Sequence, residues 1–151
     1  MTGEGTPAGL VLAAHPSQVR PPRPGTGVRL LVITTPGHAE LLRAVHADPA
    51  AAVPNGGGAV LAVRGDIAVA AAGWTAVEQG TSELVGVVTV AHERRRGHGR
   101  LVVAAAAAAA ARAGADLLWL RADNAGAQRL YVALGFEETP GFEASGPPGW
   151  R

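Results

Sequence analysis

The sequence predicts a single α/β (α+β) domain, and three observations predict it. Apolar, β-branched runs recur between Gly- and Pro-containing turns. Two later segments carry helix signals, one by alanine propensity and one by a capped apolar face. A Gly-x-Gly stretch joins a strand of the first kind to a helix of the second. The chain has 151 residues, 48% hydrophobic and 17% charged, which suits one packed core and excludes a disordered charged tail.

Residues 1–27 are rich in Gly, Pro and Thr and read as an N-terminal arm, with residues 28–151 as the domain. Within the arm, Leu10–Ala14 is a short apolar patch able to add an edge strand. Val28–Thr34 reads as a strand broken by Pro36-Gly37, and His38–Ala47 as a helix. Pro49–Gly58 is a loop, followed by a hairpin, Ala59–Val63 and Asp66–Trp74, turning at Arg64-Gly65. Glu83–Val90 is a nearly continuous β-branched run, the signature of a strand covered on both faces. Arg94–Arg100 is a loop, Leu101–Ala113 a helix stopped by Gly114, and Ala115–Arg121 a further strand. Asp123 or Asn124 caps the next helix, which carries Ala127, Leu130, Tyr131 and Leu134 on one face and stops at Gly135; Phe136–Glu138 begins a last strand.

Composition excludes several classes of function. Cysteine is absent, so there is no disulfide framework, thiolate metal site or Cys nucleophile. All 13 basic residues are Arg, yet the net charge is only +1, and no aromatic residues interleave with the arginines. Nucleic acid is therefore not an expected partner. The most apolar stretch, Leu101–Ala111, is too short for a bilayer, and no basic cluster precedes an apolar run near the N-terminus. No membrane partner is expected, and the expected location is cytoplasmic.

Two segments carry chemistry. The first runs from Thr89 through His92 and Arg94-Arg95-Arg96-Gly97-His98-Gly99-Arg100 into a helix. The first amides of a helix lack intrahelical partners and lie at its positive end, glycines let the backbone approach an anion, and four arginines add charge. Such a junction can cradle a diphosphate. It lacks the Gly-Lys-Ser/Thr of a P-loop and the third glycine of a dinucleotide fingerprint, and a solvated turn satisfies the same residues. The second segment is Asn124 to Phe136, in which Tyr131 follows Asn124 by about two helical turns. The Tyr131 phenol can give a proton to an anion of similar basicity; it can equally fill the core.

Together the two segments resemble the GNAT-type N-acetyltransferase family. Arg94-x-x-Gly97-x-Gly99 is similar to the family's Arg/Gln-x-x-Gly-x-Gly/Ala. Asn124, Ala127, Leu130, Tyr131, Gly135 and Phe136 match its Asn-x-x-Ala-x-x-Leu-Tyr-x-x-x-Gly-Phe, and Glu83–Val90 looks like its fourth strand. The resemblance covers roughly residues 55–138. It implies a central mixed, mostly antiparallel twisted sheet flanked by helices on both faces.

It also implies acetyl-CoA as cosubstrate. The backbone of Val87, Val88 and Thr89 would pair with the pantetheine arm where two strands splay. The amides from Arg95 to Arg100, through Arg96, Gly97, His98 and Gly99, would hold the pyrophosphate. Asn124 would bond the pantetheine or hold the loop beside it. Tyr131 would protonate the leaving thiolate, and an amide near Val88 or Thr89 would polarise the thioester carbonyl. The acceptor, a small-molecule or peptide amine, must lose a proton; Glu83 is the candidate base or a solvated strand-end carboxylate, with Glu78 and His92 as weaker candidates. His15, His38 and His46 show no ligand spacing. Trp74 lines the acceptor side or packs in the core.

The chain departs from the family in three places. One helix rather than two fits between Thr34 and Ala59, Ala91 stands where the family has Pro, and few residues remain for the last hairpin. The alternative function is thus a non-catalytic acyl-CoA-binding relative with a degenerate acceptor site. Poorly covered sheet edges also lead to the expectation of a homodimer.

Overall fold

Among the described residues, seven strands and two α-helices follow one another as β1 (Leu10–Ala14), β2 (Val28–Ile33), β3 (Gly58–Arg64), β4 (Ile67–Trp74), β5 (Thr81–Thr89), α1 (His98–Arg112), β6 (Leu117–Ala122), α2 (Ala125–Leu134) and β7 (Glu137–Glu138), with a short 3-10 helix at Pro16–Gln18. The structure is a computed structural model and describes residues 10–20, 27–34, 45, 54, 56–90 and 97–139. The predicted helix His38–Ala47 lies outside the described residues except for Val45, as do Arg94, Arg95, Arg96 and His92.

The strands form one sheet in the order β2-β3-β4-β5-β6-β1-β7. Strands β2 to β5 are antiparallel neighbours, β5 and β6 are parallel, and β1 runs antiparallel to both β6 and β7. The sheet is therefore mixed and mostly antiparallel, as expected. The position of β1 corrects the sequence reading. Leu10–Ala14 is not an edge strand: it is inserted between β6 and β7, with Leu12 opposite Leu120 on one side and Glu138 on the other. Among the described residues the edge on that side is the two-residue β7, and the predicted arm supplies an inner strand of the sheet.

Two crossovers explain the helix positions. α1 connects β5 to its parallel neighbour β6, and α2 connects β6 to β7 one strand further on. Right-handed crossovers progressing in one direction place both helices on the same face. That face holds the main core, in which Val102, Val103 and Ala106 of α1 and Tyr131 and Leu134 of α2 meet Val60, Ala72, Leu118 and Leu120 of the sheet. The other face carries two smaller clusters, one around Ile33, Leu61 and Ala71 with Val45 packed on it, the other of Val11, Ala13 and Trp119. Among the described residues, helices cover the first face only.

Local sequence explains the element ends. α1 starts three residues earlier than predicted because Gly97 adopts the left-handed region, φ 83°, at its N-cap. His98, Gly99 and Arg100 thus belong to the first helical turn rather than to a loop. α1's buried alanines have no side-chain rotamer freedom to lose, and their small size lets the helix approach strands that are themselves built of Ala62, Ala70 and Ala72. Asn124, not Asp123, caps α2, its Oδ1 accepting from the Ala127 N–H at 2.8 Å. Trp74 packs in the core, the second of the two places the sequence allowed it. Its indole lies where a Cβ on Gly58 would come within 2.6 Å, which is why β3 begins on a glycine.

Candidate functional site

Strands β5 and β6 pair only over Thr81–Glu83 and Leu117–Trp119. Beyond Glu83 they diverge, and the cause is on the other side of β5. Between Gly73↔Val85 and Ala71↔Val88, β4 advances two residues while β5 advances three. The extra residue forms a bulge next to Gly86, whose φ of 63° few side chains tolerate. The bulge bends β5 away from β6 and opens a wedge in the sheet.

Over that wedge, on the helix face, lies a cleft of about 680 Å³ lined by Val87, Val88, Thr89, Gly97, His98, Gly99, Arg100, Ala127, Leu130 and Tyr131. The start of α1 forms part of the lining. The Leu101 N–H donates to the Gly97 carbonyl at 3.2 Å, so His98, Gly99 and Arg100 form the first turn, at the positive end of the helix. A Cβ on Gly97 would meet nothing within 4 Å, while one on Gly99 would come within 3.1 Å of Leu130 on α2. Gly99 therefore keeps the gap between the two helices open. His98 is buried, with its Nε2 3.5 Å from the Arg64 guanidinium.

Tyr131 of α2 also lines the cleft; it is buried and packed edge-on to Phe136 with ring centroids 6.2 Å apart. Burial, aided by the negative charge of Asp123, pushes its phenol up to about 12. The hydroxyl therefore stays protonated at any physiological pH and has a proton to give.

Glu83 occupies the apex of the wedge, as the last β5 residue paired with β6. Its backbone is fixed by Thr75, whose N–H donates to the Glu83 carbonyl and whose Oγ1 accepts from the Glu83 N–H, both at 2.9 Å. Its register partner Trp119 belongs to the cluster on the face away from the helices. Partial burial raises the carboxyl above its ordinary 4.5, against a smaller opposing pull from Arg121. Tyr131 and Glu83 thus lie on opposite faces of the sheet, one in the cleft and the other at the apex of the wedge.

The family model for the FR47-like protein matches residues 61–143, a span that includes the wedge, the cleft and both helices. The chain belongs to this family, within the GNAT N-acetyltransferases. A GCN5-related N-acetyltransferase from Kribbella flavida superposes with a TM-score of 0.74 at 33% identity, over 89% of this chain and 56% of its own length. A tandem GNAT protein from the clavulanic acid biosynthesis pathway gives 0.68 at 17% identity, over 87% of this chain and 50% of that one. A GCN5-related N-acetyltransferase from Sphaerobacter thermophilus gives 0.66 at 19% identity, covering 89% and 50%. This GNAT chain thus spans a little over half the length of such structures, or half of it. A search of the curated proteins finds no match.

Among the residues singled out from sequence, the GNAT fold brings Val87, Val88, Thr89, Gly97, His98, Gly99, Arg100 and Tyr131 to one cleft. It places Glu83 at the apex behind them and Asn124 outside the lining, at the start of α2. Arg95 and Arg96 lie outside the described residues. Ala127 and Leu130, read from sequence only as a helix face, also line the cleft. Glu78 lies in the turn before β5, bridged to Thr81 through its backbone. Arg64 beside His98 carried no sequence signal, since thirty-four positions separate them.

Tyr131 is the chain's one tyrosine, and there is no Lys or Cys to titrate beside it. Alkaline titration followed by phenolate absorbance should give a single transition near 12 instead of the ordinary 10. A folded-state value raised above the unfolded one stabilises the fold fully below pH 10, and the contribution is lost as pH rises through 12. The loss is on the order of 2–3 kcal/mol across that window and should vanish in Tyr131→Phe, which urea melts at several pH values would read directly.

Proposed function

We propose that this GNAT chain transfers an acetyl group from acetyl-CoA to a primary amine by direct attack, with Tyr131 as general acid and Glu83 as base. The observation that carries the reading is the wedge between β5 and β6, with a helix-start cradle and a buried phenol in the cleft on one face and a carboxylate at the apex on the other. The residues fit the cosubstrate. The start of α1 at His98, Gly99 and Arg100 suits a pyrophosphate, and the cleft that these residues line also takes in Val87 to Thr89 and Tyr131, the lining an attached arm would need. Along that arm the β5 edge from Val87 to Thr89 lies beyond the stretch paired with β6. Asn124 holds the start of α2 beside it through the Ala127 cap.

Bound acetyl-CoA supplies an acetyl group activated as a thioester. Glu83 removes a proton from the amine as its nitrogen forms a bond to the acetyl carbon. The carbon–sulfur bond breaks, and Tyr131 gives the sulfur a proton. The products are an amide and the free CoA thiol, and proton exchange with solvent returns Tyr131 and Glu83 to their starting states. An amide near Val88 or Thr89 would take the developing oxyanion charge.

Gly99→Val tests the cleft. The added side chain meets Leu130, closes the gap between the helices, and should weaken acetyl-CoA binding by about tenfold or more in titration calorimetry. Unchanged affinity in a folded variant would remove the cleft from the reading. An assay of free CoA release over a panel of primary amines tests the transfer itself, and release that no amine accelerates would favour a non-catalytic acyl-CoA-binding role.

A further inference from the structure

The face of the wedge opposite the cleft carries a second charge beside Glu83. Glu83 is level with Trp119, and alternation along β6 puts Arg121 on the same face as Trp119, away from Leu118, Leu120 and Ala122 in the core under the helices. The Arg121 guanidinium sits 5.3 Å from the Trp119 ring centroid. That ring is itself buried against Val11 and Ala13 of β1, so the inserted N-terminal strand supports the platform on which the guanidinium rests. Arg121 is exposed while Glu83 is partly buried. Arg121 stands two residues beyond the apex, about 7 Å along the strand.

A guanidinium is charged at every working pH, so Arg121 cannot act as the base. What it offers is a planar pair of donors suited to a carboxylate. An acceptor approaching the apex from this face meets a carboxylate where its amine must lose a proton and a cation a few atoms further on. That charge order complements a molecule bearing both an amine and a carboxylate. We propose that Arg121 is a specificity-determining residue that binds the carboxylate of an amino-acid acceptor, holding its amine toward Glu83. The proposal rests on the acetyl-transfer reading for its reaction, which it leaves unchanged in bonds and protons; it adds the class of acceptor.

The test uses the full chain and a set of L-amino acids, each paired with its own carboxamide, which keeps the amine and removes the negative charge. Binding is measured by titration calorimetry in the presence of CoA, and kcat and KM are measured with acetyl-CoA. The wild type should bind at least one amino acid on the order of tenfold more tightly than its carboxamide. Arg121→Gln should erase that preference by weakening the acid alone, and Arg121→Lys should restore part of it. In turnover at a pH where Glu83 is fully ionised, the effect should fall on KM for the acid, with kcat and acetyl-CoA affinity little changed, because Arg121 lies outside the cleft. No preference in the wild type, no binding of any amino acid, or equal loss of acid and carboxamide in Arg121→Gln would overturn the proposal. Turnover on amines without a carboxylate preference would overturn it while leaving acetyl transfer standing. A preference in binding without turnover would support it and count against Glu83 and Tyr131 as catalysts.

Discussion

Tyr131→Phe should lower kcat by on the order of ten- to several hundredfold while leaving the fold and the acetyl-CoA affinity nearly intact. The substitution keeps the ring, its edge-on packing against Phe136 and its place in the core, and removes only the hydroxyl. Stability should therefore change by no more than about 1 kcal/mol, the net worth of one hydrogen bond. The kinetic loss is larger because the sulfur must then leave as an unprotonated thiolate or wait for a proton from water. Since the hydroxyl titrates only near 12, the wild-type rate should show no alkaline decline that Tyr131→Phe removes below pH 10. A purely structural tyrosine gives a different pattern: Phe is kinetically silent, and only Tyr131→Ala is costly, at about 3–5 kcal/mol of stability. Single-turnover kcat, calorimetric Kd for acetyl-CoA and Tm for the three proteins separate the cases. Wild-type turnover in Tyr131→Phe would take the phenol out of the mechanism and leave a water-borne proton in its place.

The parts of this molecule that were legible in its sequence are those fixed by neighbours along the chain. The α2 start, its apolar face through Tyr131 and Leu134 and its stop at Gly135 each follow from a cap, a period or a glycine within a few residues. The cleft was legible for the same reason, because its lining comes from two short stretches around Gly97 and Tyr131 and from the end of β5. What stayed hidden depends on pairings that local pattern does not encode. Leu10 pairs with Ala122, more than a hundred positions away, and nothing in Leu10–Ala14 says which strand it will meet. A signal that it lies inside the sheet was present: the segment is apolar without alternation, as a strand buried on both faces requires, and four of its five residues are buried. α1 starts earlier than its sequence suggests because a left-handed glycine at the N-cap looks in sequence like loop. Arg121 carries no local signal because its neighbours on the far face, Trp119 and Glu83, are brought to it by alternation along β6 and by the β5–β6 register together.

Glu83→Gln should give the second large effect, a fall in kcat/KM on the order of a hundredfold or more with the acetyl-CoA Kd unchanged. The two halves of that expectation follow from the sheet. The cleft lies on the helix face, so a change at the apex on the opposite face leaves its lining intact. The backbone bonds from Thr75 to Glu83 do not involve the side chain and survive the substitution. The carboxyl is raised above 4.5 by its burial, more than Arg121 lowers it. A base must be ionised to act, so wild-type kcat/KM should rise with pH through a value above 4.5, and that acid limb should disappear from the residual activity of Glu83→Gln. Removing the Arg121 charge should move the limb higher still, because the ionised carboxylate then loses its favourable neighbour. Glu78→Gln should leave both rate and profile unchanged, since that residue sits in the turn before β5 and not at the apex. An unaltered acid limb in Glu83→Gln would show that another group or a chain of water takes the amine proton, and the carboxylate at the apex would then only orient the acceptor's positive charge.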